Sequence, residues 1–241
     1  MSTDAVPPLT ELRAAARKFD DLKVRLVSAV AVGGIALICI WLGGWWIAVL
    51  ALLAMGAMIA ELWDMVSRRG TATPGRKPVL SLGILFVCLA GFAFVWLRAQ
   101  EPYGLLSILW AAAVVTAADV GGYFAGRLIG GPKLWPAVSP KKTWAGLGGA
   151  VALAFAVGGL FSWATTGTYF YQVCVVSMVA ACIAQGGDLA ESALKRHFDV
   201  KDASSLIPGH GGVLDRLDGH MAAILVAATV TAWRDQAVFI W

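Results

Sequence analysis

Apolar residues fill seven long stretches of the chain, near 24–43, 45–64, 78–97, 104–125, 145–164, 169–190 and 219–238, separated by short polar breaks. Each stretch is long enough to cross a hydrocarbon core as a helix, which takes roughly 20 residues. The expected fold is therefore all-α: a polytopic integral membrane bundle of seven transmembrane helices. Gly43 and Gly44 separate the first two stretches and predict a tight turn, hence a helical hairpin. The pattern divides into an N-terminal amphipathic segment (1–23), N-terminal transmembrane helices (24–103) and a C-terminal transmembrane domain (104–241) that holds most of the polar chemistry.

Charge tests this map independently. Arg13, Arg17, Lys18, Lys23 and Arg25 precede the first stretch; Arg68, Arg69, Arg76 and Lys77 follow the second. Arg127, Lys133, Lys141 and Lys142 follow the fourth, and Lys195, Arg196, Lys201 and Arg216 follow the sixth. With seven crossings all of these fall on one side, leaving Arg98 and Arg234 on the other. The positive-inside rule then predicts a cytoplasmic N-terminus, and a protein of the cytoplasmic (inner) membrane whose functional face is the cytoplasmic one.

Composition agrees. The chain is 59% hydrophobic and 14% charged, outside the range of soluble domains. The first 22 residues are polar and predict no cleaved signal peptide; TELRAAARKFDDLKVR reads as an amphipathic helix lying on the cytoplasmic surface. The formal charge of +4 sits in membrane-flanking loops, which points to anionic headgroups and not to nucleic acid. Cys39, Cys88, Cys174 and Cys182 lie inside apolar stretches without metal-ligand spacing and read as packing residues, with no disulfides. Most of the eleven tryptophans cluster near the ends of the stretches, as in an interfacial belt.

Three segments carry candidate chemistry. In ADVGGYFAGRLIGG (118–131), Asp119 lies within the fourth stretch, where an ionised carboxylate must pair, protonate or face water. It is either a structural partner, to Arg127 or another helix, or the wall of a polar cavity. Gly121, Gly122 and Gly126 permit close helix approach. In VSPKKTWAGLGGA (138–150), the run from Ser139 through Lys141 and Lys142 to Thr143 reads as a turn into the fifth helix. Its hydroxyls, ammonium groups and free backbone amides suit a phosphate, while the same basic residues also serve as topology signals.

The third segment, 186–220, is the longest polar one. Asp188 and Glu191 share a helix face at the end of the sixth stretch, and Asp215 and Asp218 repeat that spacing at the start of the seventh. Two antiparallel helices would bring these carboxylates together, an arrangement that calls for a divalent cation or protonation unless the loop is simply solvated. Mg2+ suits an all-oxygen set completed by water and phosphate, and no zinc-type Cys/His set lies nearby. Lys195, Arg196, Lys201 and Arg216 offer charge for a polyphosphate, with Gly209, Gly211 and Gly212 allowing close approach.

The order Ser192–Ala193–Leu194–Lys195–Arg196, Lys201–Asp202, then Pro208–Gly209–His210–Gly211–Gly212–Val213–Leu214–Asp215–Arg216–Leu217–Asp218 resembles the signature of the phosphatidate cytidylyltransferases (CDP-diacylglycerol synthases). The similarity extends upstream through Gly187–Asp188 with Glu191, through Ser139–Thr143, and through Asp119, Tyr123, Gly126 and Arg127. It is strong over 118–220 and general before that. The resemblance implies transfer of a cytidylyl group from CTP to phosphatidic acid, giving CDP-diacylglycerol and pyrophosphate with Mg2+. It implies a metal centre at Asp188, Asp215 and Asp218, with room for a second, monovalent cation (K+). Lys195 and Arg196 are then catalytic. Ser139, Lys141, Lys142, Thr143, Ser192, Lys201, His210, Gly211, Gly212 and Arg216 contact substrate. Asp119, Glu191 and Asp202 stand behind them. The expected partners are CTP, phosphatidic acid and membrane lipids, and the resemblance is compatible with a homodimer.

Three rivals bound this reading. A cytidylyltransferase acting on another lipid phosphate is the nearest alternative, because the apolar helices do not spell out acyl selectivity. A transporter would use Asp119 and Asp188 in the membrane but would bring inverted repeats and broken helices, which the pattern lacks. The Asp-x2-Asp-Gly-x2-Ala-Arg run of a CDP-alcohol phosphotransferase is absent.

Overall fold

The computed structural model describes residues 9–67 and 75–240, with side chains of the first helix described at residue 23 and from residue 25 onward. Residues 1–8, and the side chains on which the amphipathic reading of 1–23 rests, lie outside that description, as do Arg68 and Arg69.

Backbone amides inside a bilayer have no water to pair with, so apolar stretches satisfy themselves as helices. Among the described residues seven form in chain order: α1 (Leu9–Leu42), α2 (Gly44–Ser67), α3 (Arg76–Arg98), α4 (Gly104–Leu128), α5 (Trp144–Ala164), α6 (Phe170–His197) and α7 (Leu214–Arg234). The expected all-α membrane bundle is thus what the chain builds. Six of these helices are long and apolar enough to cross a membrane. α7 falls short because its first two turns carry Asp215, Arg216, Asp218 and His220. Two boundaries move in a way that matters. α6 continues to His197, seven residues beyond the apolar stretch, and α7 starts at Leu214, five residues before its own. Glu191, Lys195, Asp215 and Asp218 are therefore all helical.

The α1–α2 turn is as tight as the sequence predicts: Gly43 alone lies between the helices, with φ +66°, and Gly44 has φ +52°. Both values favour glycine. Arg98, one of two cations on the sparsely charged side, donates to the carbonyls of Ile40 (2.7 Å) and Trp41 (2.9 Å). It satisfies orphan carbonyls at the end of α1 and places positive charge at the negative end of its dipole.

Between lipid-facing helices the attraction comes from close packing, which small residues permit. α4 and α5 meet at Gly121, Gly122, Gly126, Gly146 and Gly149, and a Cβ on Gly121 would collide with the Gly149 carbonyl. One apolar cluster joins α3 to α7 around Trp110, whose indole Nε1–H donates to Ser177 Oγ at 2.9 Å. A second joins α2 and α3 to the start of α7 through Met65, Val66, Leu214 and Met221. α7 belongs to both clusters, so packing on two sides fixes its position.

The segment 131–143 differs from expectation. Ser139–Thr143, expected as a turn, is strand β2, antiparallel to β1 (Lys133–Trp135) in a small hairpin. Burial deepens along the end of this strand: Lys141 is exposed, Lys142 half-buried and Thr143 buried. The four cysteines are free, as expected.

Candidate active site

The last turns of α4 and α6, the first turns of α5 and α7, and the hairpin gather at one end of the bundle. Two adjoining cavities open there. One, of about 340 Å³, is lined by Tyr123, Arg127, Lys141, Lys142, Thr143 and Gln185 among others. The second, of about 250 Å³, is lined by Glu191, Lys195, Asp215, Arg216, Asp218 and His220. Asp119 and Asp188 belong to both and form the wall between them.

Lys142 Nζ lies 2.6 Å from Asp188 Oδ2 and 3.4 Å from the Gln185 carbonyl, so the half-buried lysine of β2 reaches across to α6. Ser192, one turn along α6, donates to Asp188 Oδ1 at 3.3 Å. Asp119 accepts from Gln185 Nε2 at 3.1 Å. Its partner is thus Gln185 and not Arg127, whose guanidinium donates to Tyr123 Oη at 2.7 Å. Thr143 is 3% exposed, and its hydroxyl accepts from Gly146 N at 3.0 Å as the N-cap of α5. That hydroxyl serves the helix start.

Asp188, Glu191 and Asp218 each present an oxygen within 4.8 Å of the others. This differs from the expected trio. Asp215 accepts instead from Lys195 Nζ (2.9 Å), Gly212 N (2.9 Å) and Ala203 N (3.0 Å), so donors from the loop and α6 occupy its oxygens. Glu191 stands in this group because α6 carries it one turn beyond Asp188, on the same face. Lys195 Nζ, 2.6 Å from Glu191 Oε2, bridges Glu191 and Asp215. The other Glu191 oxygen is buried and has no hydrogen-bond partner.

The set fits a divalent cation of the Mg2+ kind. All donors are carboxylate oxygens, and a buried oxygen is unpartnered. Five carboxylates (Asp119, Asp188, Glu191, Asp215 and Asp218) line the second cavity with Lys195 and Arg216, and Lys142 reaches Asp188 from the first.

The remaining expected residues are dispersed. Arg216 donates from Nε (2.9 Å) and Nη2 (2.6 Å) to the His210 carbonyl, bracing the loop while its side chain lines the second cavity. His210 Nδ1 lies 3.1 Å from Ser28 Oγ of α1. Gly211, at φ +86°, bridges back to Ile207 and has Asp215 Oδ2 close by. Gly212 is held by Asp215 as described. Arg196, Lys201 and Asp202 are exposed and line neither cavity, and Ser139 lies at the hairpin's edge, also outside both.

Gln185, which lines the first cavity, and Glu61, which lines neither but holds the loop before α7, were not singled out from sequence. Glu61 had a signal: it is a carboxylate within the second apolar stretch, and ionisable residues there usually do something. Gln185 had none, being one amide near the end of a long helix.

Residues 76–233 match the family model described as the cytidylyltransferase family. The chain is also similar to curated proteins named phosphatidate cytidylyltransferase. With that of Brucella suis biovar 1 (strain 1330) it is 34% identical over 244 residues, 84% of this chain and 90% of the relative. With that of Bacillus subtilis (strain 168) it is 34% identical over 170 residues, 70% of this chain and 63% of the relative. With that of Haemophilus influenzae (strain ATCC 51907 / DSM 11121 / KW20 / Rd) it is 36% identical over 192 residues, 75% and 63% of the two.

Proposed function

The chain belongs to the cytidylyltransferase family, and from that premise we propose that it transfers CMP from CTP to phosphatidic acid, releasing pyrophosphate and forming CDP-diacylglycerol. The observation that carries the reading is the pair of cavities meeting at Asp188, one walled by Arg127, Lys141 and Lys142, the other by clustered carboxylates. A triphosphate and a phosphomonoester are both anionic and must be brought together at one centre, which such a junction allows.

The nucleophile is a phosphatidate oxygen, already anionic at neutral pH, so no general base is required. It bonds to the α-phosphorus of CTP as the bond from that phosphorus to the β-bridging oxygen breaks, and pyrophosphate leaves with that electron pair. The protein's contribution is alignment and charge neutralisation. Arg127, Lys141 and Lys142 hold the triphosphate. Lys142, already on Asp188, keeps it against the acidic cluster. Arg216 faces the lipid phosphate from the second cavity. Asp188, Glu191 and Asp218 would hold Mg2+, which when bound supplies Lewis-acid neutralisation of the phosphates. Lys195 holds Glu191 and Asp215 in place.

The basic loops and the open cavities lie at the same end of the bundle, which supports an active site facing the cytoplasm from the inner membrane. The acyl chains stay in lipid while the headgroup enters between helix ends. The test supplies purified protein with labelled CTP, Mg2+ and phosphatidic acid in mixed micelles. The expected result is labelled CDP-diacylglycerol with pyrophosphate in equal amount, lost in Asp218→Asn. Well-folded protein that turns over no lipid phosphate would overturn the reading.

A further inference from the structure

Glu61 sits on α2, upstream of the matched segment 76–233, and is 3% exposed. Its carboxylate is directed away from its own helix, at the loop that precedes α7. Oε1 accepts from the Ser204 hydroxyl (2.6 Å) and from Val213 N (2.9 Å); Oε2 accepts from Leu214 N (2.8 Å). α7 begins at Leu214, so these two amides are among those at a helix start that lack an intrahelical partner. The N-cap residue, Val213, has no polar side chain to offer this helix start. Glu61 supplies acceptors for these two amides from another helix, its carboxylate lying at the positive end of the α7 dipole.

A second observation agrees. A Cβ on Gly212 would lie 2.8 Å from Glu61 Oε2 and 3.0 Å from Oε1, so the approach of the carboxylate requires glycine there. The same short stretch is gripped from the other side by Asp215, through Gly212 N and Ala203 N. The two carboxylates hold the loop between them and so set where α7 begins and how it is rotated. Asp218, one turn later, inherits its direction from that phase.

We infer that Glu61 is a positioning residue for the transfer reaction, aligning the first turn of α7 so that Asp218 and Arg216 face Asp188. The inference rests on the proposed function for its kinetic part and on geometry alone for its structural part.

The test is Glu61→Gln in the full chain, reconstituted in lipid nanodiscs. Glutamine keeps the shape and one acceptor, but its amide group opposes one of the three donors. Amide exchange in 203–218 should accelerate roughly tenfold or more, with the middles of α4, α5 and α6 unchanged. kcat should fall by a similar factor. KM for CTP, set by the Arg127–Lys141–Lys142 wall, which includes no residue of 203–218, should stay within about twofold. The Mg2+ concentration for half-maximal rate should rise. Gly212→Ala, which displaces the carboxylate without neutralising it, should give the same split and serves if Glu61→Gln does not fold. Exchange at 203–218 matching the parent overturns the inference. So does faster exchange with kcat unchanged, the result of a purely structural cap. If the parent turns over no lipid phosphate, the proposed function fails, while the exchange measurement still judges the cap.

Discussion

Asp215 and Asp218 lie one turn apart at the start of α7, and the structure separates their roles. The Asp215 side chain is 9% exposed and holds three donors: Lys195 Nζ, Gly212 N and Ala203 N. In Asp215→Asn one oxygen remains and an amide group confronts at least one of those donors. Removing one member of a buried, hydrogen-bonded ion pair costs about 3–5 kcal/mol. Lys195 keeps Glu191, which places the loss near the lower end, about 3 kcal/mol. Asp218 differs: its carboxylate accepts from the adjacent Gly219 N at 2.6 Å, a bond asparagine can also accept, and it stands within 4.8 Å of Asp188 and Glu191 oxygens. At such separations, with an effective dielectric constant of 20, each like-charge pair costs roughly 3–4 kcal/mol before screening. Without a divalent ion, Asp218→Asn should therefore be at least as stable as the parent, yet inactive. The assay is an unfolding free energy in mixed micelles, with chelator and with Mg2+, alongside turnover. Mg2+ should stabilise the parent and Asp215→Asn but not Asp218→Asn. An Asp215→Asn loss under 1 kcal/mol, or an Asp218→Asn loss as large as that of Asp215→Asn, would refute the division of labour.

Other consequences are as direct. Lys142→Gln removes the cation 2.6 Å from Asp188, and KM for CTP should rise by about tenfold, read from initial rates. Gly121→Leu drives a branched side chain into the Gly149 carbonyl of α5. Over-packing of this kind costs about 1–3 kcal/mol or more, seen as lost monodisperse protein on size-exclusion chromatography. Chelation should abolish transfer and excess Mg2+ should restore it, whereas Glu191→Gln, which removes a charge from the trio, should require more Mg2+ for half-maximal rate.

The seven helices were legible because a bilayer allows few alternatives: a stretch of some 20 apolar residues must close its own hydrogen bonds. The ends were less legible. α6 runs on beyond the apolar stretch through ESALKRH, residues 191–197, a polar sequence that folds as helix. Helix propensity and the spacing of Glu191 with Lys195 favour that outcome, but only packing against α7 secures it. The hairpin at 133–143 carried no alternating apolar signal at all.

The site divides in the same way. Residue order alone located the carboxylates, the lysine pair of β2 and the glycine loop, because their types and spacing are chemically unusual. It also determined the all-α membrane class. Which carboxylates meet was settled by tertiary structure. Asp215 and Asp218 have equal standing along the chain, yet a difference of three residues turns a side chain by most of a helical turn and exposes it to different neighbours. Asp215 meets Lys195 and the loop amides; Asp218 meets Asp188 and Glu191. Glu61, distant in sequence from every residue it contacts, shows the limit most clearly. Sequence marks it as a charge in an apolar helix, and only the packing of α2 beside α7 gives that charge two amides and a hydroxyl to hold.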